Sequence, residues 1–183
     1  MKINVELQSV LDSIDVFFKE EVDNIKRNFN NYNGTLFDVS CHMVDGNKVQ
    51  VNNVPGIYVF RVKTKSGIKV GSFNETSYAP KLNQKNHNKL NIKKKSDFLN
   101  SQILYLGKSE DNICARLSEH IEGPGKTTYA LRLNDQNRSN LIGNLEVLVL
   151  ELKKQYRPYS KTILSSIESM LHDELYPRVG SKR

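Results

Sequence analysis

The chain has 183 residues, 38% of them hydrophobic and 26% charged, which suits one domain with a real core and excludes wholesale disorder. Lys and Arg number 27 against 20 Asp and Glu, so the formal net charge is +7 and the pI near 9.3, which points to a polyanion as partner. No apolar run approaches the ~20 residues that cross a bilayer, and no signal-like segment opens the chain. Two cysteines, Cys41 and Cys114, are too few for a disulfide framework or a four-thiolate zinc site, so a reduced, cytoplasmic protein is the expectation.

Residues 3–29 read as a helix. Leu7, Val10, Leu11, Ile14, Phe17, Phe18, Val22, Ile25 and Phe29 recur at three- and four-residue steps, while charged residues fill the other face. The plain reading packs this stripe on the domain; the same spacing also suits a homodimer through the helix. Asn30 to Gly34 stops it, since Asn and Gly tolerate the left-handed conformation of a helix end. Val54-Pro55-Gly56 leads into a strand over 57–62, and Ser66-Gly67 turns it back into 68–73 as a hairpin. Ile103 to Leu106 is a second short strand ending at Gly107. A helix starts at Asn112, with Ile113, Leu117 and His120 or Ile121 on one side, and stops at Gly123-Pro124-Gly125. Leu145 to Leu152 is a third strand, largely buried. The last helix runs from Ser160, an N-cap candidate, to Tyr176, with Ile163, Leu164, Ile167, Leu171 and Leu175 inward and Pro177 ending it.

Residues 61–100 differ in kind. Ten basic side chains, among them Lys81, Lys85, Lys89, Lys93, Lys94 and Lys95, meet only Glu75 and Asp97, a local charge of +8. Positive charge concentrated in this way suits a phosphate-tracking surface; the plainer reading is a solvated loop. The pattern predicts an α/β (α+β) architecture. Its centre is a small antiparallel sheet of about three core strands flanked by helices, with a long N-terminal helix and a basic insertion between the first two core strands. Residues 1–50 form an arm and lead-in, and 51–183 the domain proper, with the insertion at about 64–100.

Several motifs fail on inspection. Gly125-Lys126-Thr127 and Gly107-Lys108-Ser109 resemble the end of a phosphate-binding loop, but the glycine required five positions earlier is His120 in one and Gln102 in the other. No G-x-S-x-G elbow occurs. Cys114, beside Ile113 and Leu117, reads as a buried structural thiol. His42 and His87 lie in polar, looped sequence. His172, one turn beyond Glu168, reads as a surface or supporting group.

An ordered set remains. Gly56-Ile57-Tyr58 opens one strand and Tyr105-Leu106-Gly107 closes another. Arg116 and His120 lie one helical turn apart, so both side chains reach one cleft, and Glu168 precedes Pro177 by nine residues on the last helix. In this order the set resembles the GIY-YIG nuclease superfamily over about residues 54–180, with Leu106 in the middle of the second tripeptide. The resemblance implies a metal-dependent endonuclease that cleaves phosphodiester bonds in DNA, with RNA as the alternative polymer, and leaves a 5′-phosphate. A compact chain with a basic insertion suits a restriction or defence enzyme. Under this reading Tyr58, Tyr105, Arg116, His120 and Glu168 are catalytic. Glu168 would hold one Mg²⁺ or Mn²⁺ with water and phosphate oxygens, the hard-oxygen, open coordination such ions prefer. Arg116 would brace the scissile phosphate with a fork of donors that keeps its charge. Tyr58 would activate the water, His120 would accept or relay its proton, and Tyr105 would position water or phosphate. Lys108, Lys81, Lys85, Lys89, Lys93, Lys94 and Lys95 would bind nucleic acid. Where many members carry an Asn three residues after the proline, this chain has Gly180. The alternative reading is a nucleic-acid-binding protein that keeps the fold without cleavage, and a third is an assembly protein whose basic charge serves solubility.

Overall fold

Strand-forming residues that alternate between two apolar faces are the key to this molecule, because a sheet covered on both sides needs apolar residues at every position. Ile57, Tyr58, Val59 and Phe60 are all at most 1% exposed, as are Val147 to Leu150. The computed structural model describes residues 2–28, 32–45, 49–62, 103–122, 130–131, 133 and 143–177. It contains a helix α1 (Lys2–Arg27), strands β1 (Phe37–Val44), β2 (Gly56–Val62) and β3 (Ile103–Ser109), a helix α2 (Ile113–Glu122), strand β4 (Leu145–Leu152), a 3₁₀ turn (Lys154–Tyr159) and a helix α3 (Ser160–Leu175). The fold is mixed α/β, with four antiparallel strands in the order β1-β4-β2-β3.

Period-two alternation divides the core into two layers. Ile57, Val59, Leu106, Leu148 and Leu150 join Phe18, Val22 and Ile25 of α1 and Ile163, Leu164, Ile167 and Leu171 of α3 on one face. Tyr58, Phe60, Val147 and Val149 join Ile113, Leu117 and Ile121 of α2, with Leu131 and Leu133, on the other. Among the described residues, helices therefore cover both faces, α2 on one and α1 with α3 on the other. No described helix is long and apolar enough to cross a membrane.

Several expectations need correction. A fourth strand, β1, lies within what the sequence suggested was a lead-in. Its eight residues pair with β4 from Phe37↔Leu152 to Val44↔Leu145. An edge among the described strands, it is buried only at Phe37 and Val44 and carries Asp38, Ser40 and His42 between them, which hides the strand signal. His42 consequently sits on a strand, where its Nε2 lies 2.8 Å from Ser40 Oγ. Strand β3 does not stop at Leu106 but continues through Gly107 to Ser109, pairing with Gly56–Phe60. Ser160 is not the cap of α3. Tyr159 takes that place at the end of the 3₁₀ turn, while Tyr176 closes the helix in the left-handed conformation (φ 47°). His172 is buried at 3% exposure, not superficial, and Cys114 is half-buried.

Helix α1 is long, as its stripe predicts, and its described side chains differ in cover along its length. Val22 and Ile25 are buried, whereas Val10, Leu11 and Ile14 are more than 40% exposed. Its C-terminal end is tied down by Glu21, a buried carboxylate that accepts hydrogen bonds from the Tyr32 hydroxyl and, at 2.8 Å, from the Thr35 N–H. Burial and the neighbouring Glu21 raise the Tyr32 pKa above its ordinary value, so the phenol stays a donor. The hairpin arm at 68–73, residues 123–129, the basic stretch holding Lys81 to Lys95, and Gly180 lie outside the described residues.

Candidate active site

Strand pairing builds the site first. Tyr58 stands opposite Gly107, and Phe60 opposite Tyr105. Between Phe60 and Arg61 the register slips, leaving an extra residue in β3, so that Leu104 and Tyr105 both join the α2-side cluster. The Tyr58 and Tyr105 rings stack with centroids 6.1 Å apart and planes 22° apart. Glycine is needed at 107 because a Cβ there would stand 2.5 Å from the Tyr58 hydroxyl and 2.9 Å from Tyr105 Cε1. At Gly56 a Cβ would stand 2.5 Å from the Leu150 carbonyl oxygen, so only glycine lets β2 and β4 close at this point.

Helix α2 brings the other half. Its start is capped by Asn112, whose Oδ1 accepts the Ala115 N–H at 3.0 Å. The N–H of Ile113 donates to the Val54 carbonyl at 2.9 Å, which pins the helix against the entrance to β2. Ile113, Leu117, His120 and Ile121 then face the sheet. His120 is fully buried, with its ring centroid 5.1 Å from that of Tyr58 and 4.8 Å from that of Tyr105. Its Nε2 lies 2.9 Å from the Tyr58 hydroxyl oxygen, and its Nδ1 accepts the Leu131 N–H at 3.0 Å.

Arg116, one turn earlier, pairs with Glu119 and borders Tyr58. Arg116 and Tyr105 are the partly exposed members of the group, so they are the ones that meet solvent. Burial opposes the Arg116 charge, but Tyr58, Glu119 and Tyr105 outweigh it and the guanidinium is held firmly protonated. The Tyr58 pKa is pushed well above its usual value, first by burial and then by Tyr105, while Arg116 pulls it back. Burial, with help from the Arg116 charge, lowers that of His120 to about 3. At neutral pH the group is therefore a phenol, a neutral imidazole and a guanidinium.

Glu168 comes from another element. It is buried on α3, the helix on the opposite face of the sheet from α2. Lys108 links it to β3: its ammonium lies 3.9 Å from Glu168 Oε2 and 2.9 Å from Glu110 Oε1, and it hydrogen-bonds the Ser165 hydroxyl. Lys108, assigned by sequence to nucleic acid, is thus engaged within the protein. Among the described strands β3 is an edge, so the tyrosine group and the Glu168 group flank one sheet border. Among the described residues no three His, Cys, Asp or Glu side chains converge as a ready cation cage. One buried hard carboxylate fits an ion of the Mg²⁺ type that keeps its waters and takes further oxygens from a substrate, and does not fit a tightly caged structural ion.

Sequence reasoning missed Glu119, Ser165 and Glu110 as partners. Glu119 was detectable as the acidic residue three positions beyond Arg116, a spacing that faces it on a helix. The Leu131 N–H carries no side-chain signal at all. Comparison with protein-family models, curated proteins and solved structures finds no match to this chain.

Proposed function

We propose that the protein is a metal-dependent endonuclease that hydrolyses phosphodiester bonds in DNA, of the GIY-YIG type that its ordered motifs resemble, working in the cytoplasm as a restriction or defence enzyme. The observation that supports this reading most is the pairing of Tyr58 with Gly107. It sets the two signature tyrosines side by side, where α2 adds Arg116 and His120 to the same cluster. Hydrolysis of a phosphodiester needs an activated water and positive charge at the phosphorane-like transition state. Arg116 supplies fixed charge and a fork of donors at the solvent side of the group. Tyr58 can serve as the base only where its phenolate is stabilised, and two groups act on its oxygen to that end: His120 by hydrogen bonding and Arg116 by charge. Tyr105, stacked on Tyr58, shields the phenol and presents its edge to a bound strand. Glu168 would hold the divalent ion, Mg²⁺ or Mn²⁺, whose Lewis acidity would help to polarise the phosphate. Lys108, poised between Glu168 and Glu110, would balance the carboxylate until the ion arrives.

A second reading, a nucleic-acid-binding protein without cleavage, is favoured by one observation. Tyr58 is only 1% exposed and its pKa is raised. One experiment separates the two. Supercoiled plasmid and single-stranded DNA are incubated with the protein in Mg²⁺, Mn²⁺ or EDTA, and product ends are mapped. Cleavage that requires the ion and leaves 5′-phosphates supports the nuclease. Salt-sensitive binding with intact DNA under every condition supports the binding protein.

A further inference from the structure

His120 is fully buried, and its two ring nitrogens have partners of different kinds. Nδ1 lies 3.0 Å from the backbone nitrogen of Leu131. A backbone amide can only donate, so Nδ1 must offer a lone pair. A neutral imidazole carries one proton, which therefore sits on Nε2, 2.9 Å from the Tyr58 oxygen. We propose that His120 is a positioning residue, locked by the Leu131 amide as a neutral Nε2–H donor to the Tyr58 oxygen, and that it takes no proton from the tyrosine. This reverses the role of proton acceptor or relay that the sequence suggested. The tautomer stands on geometry alone; its importance for chemistry rests on the nuclease reading of Tyr58.

The surroundings agree. Leu133 donates its N–H to the His120 carbonyl at 2.9 Å, so backbone beyond α2 grips both the side chain and the main chain of this residue. Among the described residues, the groups that face the ring are Tyr58 from β2, Tyr105 from β3, the Phe60 ring at 5.8 Å and, along its own helix, Arg116. Its two ring hydrogen bonds go to an amide and a phenol, neither of them a carboxylate that would favour an imidazolium. Protonating Nδ1 would set two N–H groups against each other and break the Leu131 bond. When Tyr58 loses its proton, that proton must leave by the Arg116 and Tyr105 side, where solvent enters, and the His120 N–H remains to stabilise the phenolate.

The test has a readout independent of cleavage. The full chain is labelled with ¹⁵N-histidine, and imidazole resonances are followed from about pH 5 to pH 9. The resonance absent from His120→Gln identifies residue 120. The expected result is the neutral Nε2–H pattern, unchanged across the range. An Nδ1–H pattern, or a titration within that range, would overturn the proposal. The second arm compares His120→Gln with His120→Ala in cleavage. The Gln amide can donate to Tyr58 but cannot accept a proton at this pH. Gln should keep cleavage within roughly tenfold with an unshifted pH profile, while Ala loses roughly 10²-fold. Equal loss in both would count against a donor role. A wild-type chain that cuts no DNA would end the nuclease reading, and the spectra would still decide the tautomer.

Discussion

At the scale of single residues, the site combines groups whose burial and charge oppose one another, and that opposition sets what substitutions do. Tyr58→Phe removes the hydroxyl that His120 contacts and leaves the ring stacked on Tyr105. If the chain is the proposed nuclease and Tyr58 acts in its chemical step, cleavage should fall by roughly 10²-fold or more with DNA binding nearly unchanged. Arg116→Ala should lose a comparable factor and also weaken binding, because a guanidinium meets the phosphate before the transition state as well as in it. Parental cleavage by the Phe variant would remove Tyr58 from water activation. Glu168→Gln keeps shape but loses the charge that would recruit the ion, so activity should vanish while binding persists. Lys108 retains Glu110 after this change, so the melting cost should stay at about 1–2 kcal/mol. Cleavage by this variant with Mg²⁺ still required would assign the ion to another carboxylate. His120 makes a stability prediction of definite sign. Its folded pKa, about 3, lies below the 6.5 of an exposed histidine. Above pH 6.5 neither state is protonated there and the residue adds no pH dependence. Below it the unfolded chain takes up a proton that the folded chain refuses. Unfolding free energy should therefore fall by about 1.4 kcal/mol per pH unit from this group as the pH drops below 6.5. Urea titrations at several pH values should show this slope in the wild type and its absence in His120→Gln.

At the scale of elements, the two halves of α1 make unequal contributions. Ile25 is wholly buried against α3 and the sheet, whereas Leu11 is 47% exposed. Ile25→Ala should cost about 2–5 kcal/mol through lost burial and the cavity left behind, and Leu11→Ala less than about 0.5 kcal/mol. Urea denaturation of the two variants checks this contrast. A cost of several kcal/mol at Leu11 would show that the exposed stripe is covered in solution, as the dimer expectation requires. The uneven helix also illustrates what sequence can and cannot reveal. Its periodicity gives the helix but not the point where the partner surface ends, since among the described side chains the core that α3 and the sheet share takes in Phe17 and Phe18 but leaves Val10, Leu11 and Ile14 exposed. Strands β2 and β4 were legible because burial on both faces demands unbroken apolar runs. β1 was not, because an edge strand with Asp38, Ser40 and His42 along it mimics a loop. The tyrosines, Arg116 and His120 were legible as a set because strand pairing and a four-residue helical step bring them together. The Leu131 amide and the Lys108–Glu168 link were not, because each depends on tertiary placement of groups with no local pattern.

At the scale of the whole molecule, charge is distributed unevenly, and this determines how the chain should meet a polyanion. Of the formal +7, the carboxylates seen in pairs offset their own cations: Glu119 engages Arg116, Glu146 engages Arg61, and Glu110 and Glu168 share Lys108. Positive charge is concentrated at Lys81, Lys85, Lys89, Lys93, Lys94 and Lys95, in a stretch, 81–95, that itself contains no acidic residue. If DNA is the partner, long-range attraction should come from this stretch, and chemistry from the group that Tyr58 of β2 and Arg116 of α2 form together. Contacts of that kind act through counterion release, so log K falls linearly with log salt and loses about one unit of slope per phosphate contact removed. Replacing Lys93, Lys94 and Lys95 by Gln should therefore flatten the salt dependence by about two to three units while leaving the sheet and its melting temperature unchanged. Saturating DNA should restore most of the turnover, because the substituted side chains belong to binding and not to the bond-breaking step. Arg116→Ala should behave oppositely, with turnover lost at any DNA concentration. An unchanged salt slope in the triple variant would remove the basic stretch from the binding surface and leave Arg116 and its surroundings as the site of phosphate contact.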